Sequence, residues 1–288
     1  MRLASASADG TVRVWNACTC ECESAWDAHD GSVWSVAWTP SGDRLASAGA
    51  DGAVRICKPP RPEPVRGFRG AEGVAFCVDW TPDGRRLACG YEDGSLKLLD
   101  ADAGVVLRQW RGHGDGGLAL PVIATRWSPD GTRLASGGID FALRLWDSDG
   151  KPAGVMRADT DARNDINGVA WSADGRIVAA AGQDGHVRLW DVGTRQEIVR
   201  LPAGSEPQWV RGVAWAPGPG EGRLATGGGD RRVRLWADLN GDPVEVLGGR
   251  QSAVWSATWS PDGSRLATGS GEYETEGGDP TIRIWRLT

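Results

Sequence analysis

One phrase recurs seven times along the chain, and its period constrains the fold more tightly than any other feature. It reads RLASASADGTVRVW from Arg2, RLASAGADGAVRIC from Arg44, RLACGYEDGSLKLL from Arg86, RLASGGIDFALRLW from Arg133, IVAAAGQDGHVRLW from Ile177, RLATGGGDRRVRLW from Arg223, and RLATGS from Arg265 resuming as TIRIW. Aligned on Leu3, Leu45, Leu87, Leu134, Val178, Leu224 and Leu266, the steps are 42, 42, 47, 44, 46 and 42 residues. A period near 40 residues with several short strands per unit signals a β-propeller, in which each unit buries its apolar faces against its neighbours.

Each unit resolves into four strands. Between Ala28 and Cys57, VWSVAW is apolar or small throughout and reads as a strand buried on both faces, and TPSGD is a turn. RLASAG follows as a second strand, ADG as a tight turn in which glycine tolerates positive φ, and AVRIC as a third strand. KPPRPEP turns again before PVRGF, a shorter and more polar fourth strand. The same segments recur as VAFCVDW, RRLACGY, SLKLLD and VVLRQW, and then three further times. Short strands at regular spacing, separated by Gly, Pro, Asp and Asn, make the fold all-β.

The chain has 16 tryptophans, and most fall on the repeat. Trp38, Trp80, Trp127, Trp171, Trp215 and Trp259 end the first strand of a unit; Trp15, Trp146, Trp190, Trp236 and Trp285 end the third. Large aromatics at equivalent points suit the wedge between twisted sheets, so these eleven are expected in the core.

At 288 residues and 40% apolar, the chain can bury a large core. Its net charge of −6 and lack of a Lys/Arg block argue against a phosphate backbone as partner and make a basic protein surface the easier one. The N-terminal residues MRLASASADG carry no cationic stretch followed by an apolar core, and no window reaches the 18 apolar residues of a membrane span, so cytosol or nucleus is the expected compartment. Cys57, Cys77 and Cys89 sit in strands as small hydrophobes. Cys18, Cys20 and Cys22 alternate along an extended segment and could face a soft metal together. The chain offers only His29, His113 and His186 beside them and no C-x2-C pair, so a plain outer strand is the preferred reading and no metal is assigned.

Trp146-Asp147, Trp190-Asp191, the Gly112-His113 pair before a first strand, the SPDG turns at Ser128 and Ser260, and the Asp of each strand 2 to 3 turn together resemble the WD-repeat (tryptophan-aspartate repeat) β-propeller family over the whole chain. The resemblance implies a buried hydrogen-bonded tetrad of His, Ser or Thr, Asp and Trp. His113, Ser136, Asp140 and Trp146 match it fully. His29, Ser47 and Asp51 match with Cys57 in the Trp position; the third unit has Cys89, Asp93 and Leu99 with no His. Ser5, Asp9 and Trp15, Thr226, Asp230 and Trp236, and Thr268, Asp279 and Trp285 each lack the His, and the fifth unit keeps Asp184 and Trp190. His186 falls outside the tetrad and is expected at the surface.

Propellers of this family usually close by borrowing a strand across the termini. Here Met1 leads into a second strand and the chain stops just after a third. The expected fold is a single domain over residues 1–288: a seven-bladed propeller of four-stranded antiparallel blades, lacking the inner strand of blade one and the outer strand of blade seven. The missing piece, about 25 to 30 residues on the repeat period, is expected upstream of Met1, making the chain an N-terminally truncated version. Such a seam would expose strand edges and invite self-association or filling by a partner strand.

The sequence shows no catalytic set and no cofactor motif. Gly227 to Gly229 lie in a strand and its turn with no helix to follow, and Asp83, Asp130, Asp174 and Asp262 recur in turns, where shaping the backbone is a sufficient role. Length varies chiefly in the outer-to-inner loops, Arg111 to Leu120, Ala158 to Asp165 and Ala203 to Gln208, and in the insertion from Gly269 to Asp279. In the family these connections open on one face, and elaborated loops on a rigid scaffold are where binding residues reside. They carry Asp115, Asp159, Asp161, Asp165, Glu206, Glu272, Glu274 and Glu276. Four residues before each first-strand Trp lies a position that in the family points toward the mouth of the central channel; it holds Trp34, Phe76, Ile123, Asn167, Arg211 and Trp255, with Trp209 close by. Aromatics within a polar rim are the make-up of an interaction hot spot; the plainer alternative is that they only line the channel. The expected function is a non-enzymatic scaffold for a basic peptide or protein segment. The alternatives are a hydrolase or lyase propeller using loop carboxylates, and a histone or nucleic-acid-associated adaptor.

Overall fold

The computed structural model describes all residues except 70–72, 116, 159–163, 205–207, 219–221, 238, 240, 249–251, 272–280 and 288. It is all-β. The first sheet holds β1 (Arg2–Ala6), β2 (Thr11–Asn16) and β3 (Cys22–Asp27); the second β4 (Val33–Trp38), β5 (Leu45–Gly49), β6 (Ala53–Lys58) and β7 (Arg61–Arg69). The third holds β8 (Ala75–Trp80), β9 (Arg86–Tyr91), β10 (Ser95–Asp100) and β11 (Val105–Arg111), and a two-strand ribbon of β12 (Gly114–Asp115) and β13 (Leu118–Ala119) follows it. The fourth holds β14 (Val122–Trp127), β15 (Arg133–Gly138), β16 (Ala142–Asp147) and β17 (Pro152–Arg157). The fifth holds β18 (Ile166–Trp171), β19 (Ile177–Gly182), β20 (His186–Asp191) and β21 (Glu197–Pro202), and the sixth β22 (Val210–Trp215), β23 (Leu224–Gly228), β24 (Val233–Trp236) and β25 (Glu245–Leu247). β26 (Val254–Trp259), β27 (Arg265–Ser270) and β28 (Ile282–Arg286) form the seventh. These are the blades of a seven-bladed β-propeller, the first and last with three strands. Two compact units divide them, Met1–Asp140 with Arg144–Ala153, and Phe141–Leu143 with Gly154–Thr288.

Two local features exceed what the repeat predicts. The segment expected to turn before PVRGF is already strand from Arg61, and the loop Arg111 to Leu120 folds back on itself as the β12–β13 ribbon.

Within each unit the core lies between successive sheets. Ala46, Ala48, Val54 and Ile56 of the second sheet meet Val78, Leu87, Cys89, Tyr91 and Leu99 of the third. In the other unit Ala179, Ala181, Val187 and Leu189 of the fifth meet Val213, Leu224 and Trp236 of the sixth. Small residues in the second strands let neighbouring sheets approach, and ring-sized residues fill the space that twist opens. Trp80 also donates its indole N–H to the Ala37 carbonyl at 3.0 Å, and Trp259 to that of Ala214 at 3.1 Å, tying each first strand to the preceding one. Arg44 lies 5.1 Å over the Trp80 ring and pairs with Asp102 at 2.6 Å, a second tie between the same sheets.

Of the eleven tryptophans assigned to the core, Trp80, Trp127, Trp146, Trp171, Trp190 and Trp236 are buried. Trp15, Trp38, Trp215, Trp259 and Trp285 are half-buried. Trp15, Trp259 and Trp285 belong to three-stranded sheets, which have one strand fewer to cover a ring.

The tetrad of the fourth sheet is complete. His113 bonds Asp140 through Nδ1 at 2.6 Å and Ser136 through Nε2 at 2.7 Å, and the Trp146 indole N–H donates to the same hydroxyl at 2.8 Å. In the second sheet His29 reaches Asp51 and Ser47, both at 2.8 Å. A Cβ on Gly49 would lie 2.4 Å from the His29 ring and one on Gly138 2.7 Å from His113, so glycine makes room for the imidazole. The fifth sheet differs from the sequence reading. Buried Asn164 fills the histidine position and accepts the Asp184 N–H at 3.0 Å. His186 is half-buried, 3.1 Å from the Asp184 carbonyl oxygen.

Replacing Ser136 with Ala strands the Trp146 N–H and a His113 nitrogen in the core. We expect a loss of about 1–3 kcal/mol of unfolding free energy in urea titration, the range for an unsatisfied buried group. Burial lowers the His29 pKa from its ordinary 6.5, its bond to Asp51 only partly offsetting this. Burial alone would raise Asp51, but bonds from His29, Arg55 and the Ala53 N–H bring it to about 2. Both folded-state values lie below the unfolded ones, so both groups favour the unfolded state as pH falls, His29 from about 6.5 and Asp51 from about 4. Stability therefore declines from pH 7 to 5, and His29→Gln shrinks that decline; an undiminished decline in the variant contradicts the assignment.

Candidate functional site

The six first-strand positions singled out by the repeat share one backbone feature. Val33 pairs with Gly49 and Ser35 with Ala48, so Trp34 is the extra residue of a β-bulge. The same slip leaves Phe76, Ile123, Asn167, Arg211 and Trp255 without an opposing residue in their strands. A bulge sets two residues against one and re-aims the side chain between them. All six side chains are half-buried, and each is followed within its strand by the tryptophan that anchors the sheet.

In the first unit the structure brings two of them together: the Trp34 and Phe76 rings meet edge to face at 5.3 Å, a favoured aromatic geometry. Ile123 is half-buried. In the second unit Trp209 and Trp255 lie 4.6 Å apart at 45°, and the Arg211 guanidinium sits 5.3 Å over Trp255. The Trp255 N–H donates to the Gly271 carbonyl at 2.8 Å, which fixes the indole. Asn167 donates to Gln183 at 3.0 Å and to the Val210 carbonyl at 3.3 Å, placing it beside the Arg211 strand. A Cβ on Gly229 would meet Gln208 Oε1 at 2.4 Å and the Trp209 indole nitrogen at 3.2 Å, so that turn is shaped to receive Trp209.

The loops beside these residues are joined to the strand 2 to 3 turns. The Ala28 and His29 N–H groups donate to the Gly10 carbonyl, and those of Gly112 and His113 to Gly94. Gly10 at φ +85° and Gly94 at φ +75° sit so close that a Cβ would lie 2.8 Å from the His29 carbonyl oxygen and 2.6 Å from that of His113. Of the acidic residues assigned to this rim, Asp165 is half-buried. Asp159, Asp161, Glu206, Glu272, Glu274 and Glu276 lie outside the described residues, as do the Asp115 side chain and the tetrad's Asp279.

The recurrent turn carboxylates are held by local bonds. Asp130 accepts from the Ser128 hydroxyl at 2.6 Å and the Thr132 N–H at 3.0 Å, while Ser128 in turn accepts the Arg133 N–H. Hydrogen bonds from Ser260 and Ser264 pull the matching Asp262 down to about 2. Among the described residues no group of three or more His, Cys, Asp or Glu side chains could hold a metal. Cys18, Cys20 and Cys22 are exposed; Cys57, Cys77 and Cys89 are buried, and burial pushes the Cys57 and Cys77 thiols up to about 11. No helix among the described residues is long and apolar enough to cross a membrane.

The family profile described as WD domain, G-beta repeat matches residues 1–16, 20–58, 104–147, 150–191, 197–237 and 241–286, most of the chain. The chain belongs to the WD40-repeat family. A profile described as the anaphase-promoting complex subunit 4 WD40 domain matches residues 67–120, the stretch around the third blade. Among curated proteins, this WD40 chain is 40% identical over 92 residues to the protein SEC13 homolog of Drosophila melanogaster, covering 30% of the chain and 23% of that protein. It is 33% identical over 95 residues to the protein transport protein SEC13 of Chaetomium globosum, covering 31% and 30%. An uncharacterized WD repeat-containing protein of Synechocystis is 36% identical over 61 residues, covering 21% and 17%. The matched segments thus span less than a third of each of these relatives. Membership of this repeat family supports a protein-interaction scaffold.

Fully buried Trp236 and half-buried Trp255 should respond differently to truncation. Trp236→Ala should cost about 3–5 kcal/mol of stability. Trp255→Ala should cost clearly less under the same denaturant titration, and equal losses would place Trp255 in the core.

Proposed function

We propose that this WD40 propeller docks a basic peptide or protein segment at its first-strand bulges and outer-to-inner loops. Trp34 with Phe76, and Trp209 with Arg211 and Trp255, are the anchors, and loop carboxylates form the rim. The observation that carries the reading is the repeated bulge: six blades re-aim one side chain at the same point, and three of the six are large aromatics. Half-buried aromatics held by neighbours lose little side-chain entropy on binding, which favours them as hot spots. The basic character of the partner follows from the net charge of −6 and the acidic loops in the sequence. Two of the partial relatives bear the name protein transport protein SEC13 or its homolog, which makes transport assemblies in the cytoplasm or at the nucleus the first place to seek the partner.

A random peptide library selected on the immobilised chain should return sequences enriched in Lys and Arg. In fluorescence anisotropy those peptides should bind at least tenfold more weakly to Trp255→Ala or Trp34→Ala, and more weakly as salt rises. Selection of acidic or purely apolar peptides contradicts the basic partner, and unchanged affinity in both variants contradicts the anchors.

A further inference from the structure

The third blade lacks the histidine and tryptophan of the tetrad, and it breaks a second regularity as well. In five blades the turn aspartate pairs with an arginine four residues on: Asp9 with Arg13 at 3.0 Å, Asp51 with Arg55 at 2.6 Å, Asp140 with Arg144 at 2.7 Å, Asp184 with Arg188 at 2.5 Å, and Asp230 with Arg234 at 2.6 Å. The third blade has Asp93 and Lys97 at that spacing, and among the described residues no carboxylate oxygen lies within 4.0 Å of the Lys97 ammonium. Lys97 is only 5% exposed, and its Nζ lies 4.7 Å from the centre of the Tyr91 ring. Asp93 attracts it only from beyond ion-pair distance, and a buried cation so weakly compensated is costly.

Two hydroxyls on the same face are also unsatisfied. Ser95 is 6% exposed and Tyr91 1%, and neither side-chain oxygen has a hydrogen-bond partner among the described residues. Strand register explains why these groups gather: Ser95 pairs with Arg111, and Lys97 with Gln109 on one side and Cys89 on the other. Alternation then puts Ser95, Lys97, Gln109, Arg111, Cys89 and Tyr91 on one face of the sheet. Above that face opens a cavity of about 440 Å³ lined by Asp93, Ser95, Gln109, Trp110 and Arg111. Arg111 donates to the Gly117 carbonyl at 3.1 Å through one nitrogen, and the other donors of its fork have no partner among the described residues. Buried unsatisfied groups of this kind call for an occupant.

We propose that this cavity binds a small oxyanion, a carboxylate or phosphate group, received by the Ser95 hydroxyl, the Gln109 amide and the Arg111 guanidinium, with Lys97 behind them as the compensating charge. The site is distinct from the first-strand bulges. Asp93, which accepts the Ser95 backbone N–H at 2.9 Å, stands at its edge and favours an anion bearing a proton of its own, such as hydrogen phosphate.

Isothermal titration of the full chain with sodium phosphate in one arm and sodium succinate in the other, against sodium chloride at matched ionic strength, tests this. A saturable dissociation constant of about 1 mM or below is expected for at least one oxyanion, and the stronger arm identifies the group. Lys97→Met should weaken it at least tenfold and Ser95→Ala severalfold. Should Lys97→Met fail to fold, exposed Arg111→Gln is read in its place, with at least fivefold weakening expected. No saturable binding in either arm, chloride binding equal to the oxyanions, or unchanged affinity in the folded variants overturns the proposal.

Discussion

Close contact between successive sheets is the constraint on which the rest of the structure depends. Second strands rich in Ala and Gly are buried past their first residue in every four-stranded blade, and those small side chains let the next first strand approach. That approach puts the indole N–H of Trp80 or Trp259 within reach of the preceding strand's carbonyl, so one residue supplies apolar area and satisfies a buried donor. Glycines such as Gly90 and Gly227 belong to the same packing, because a Cβ there would lie 2.7 Å and 2.4 Å from valine methyl groups of the next first strand.

Fixing the sheets also fixes where the first-strand bulges sit. The bulge near the start of each first strand is where a side chain leaves the alternation, and Trp34, Phe76 and Trp255 leave it there. The tetrads add stiffness unevenly. His113 joins strand, turn and loop in the fourth blade through Asp140 and Ser136; the third blade, with Cys89 and Leu99 in place of Ser and Trp, has no such network.

Much of this is legible in the sequence because a repeat multiplies weak signals. One Asp-Gly turn says little, but an Asp recurring at that turn in all seven repeats, followed by Gly in four, places the first three strands of a blade to within a few residues, and Ser136 and Trp146 follow from their offsets alone. Asn164 escapes that reading because the loop before the fifth blade varies in length, so no fixed offset marks the histidine position. The bulges escape it because a slip of register belongs to two strands at once, although the special position four residues before each tryptophan does stand out. The half-buried state of Trp15 and Trp285 accords with the three-stranded first and last sheets that the repeat implies, although the position of the eleven repeat tryptophans predicts them all in the core. The missing partner of Lys97 emerges only when its geometry is compared with the Asp–Arg pairs of other blades.

The account turns on the first-strand bulges being where a partner is held. Hydrogen exchange read by mass spectrometry, with and without a saturating bound peptide, tests this without mutation. Slowed exchange confined to the starts of β4, β8, β22 and β26 and the loops before them is the predicted result. Protection centred on the outer strands β7, β11, β17 and β21, with those starts unchanged, would contradict it.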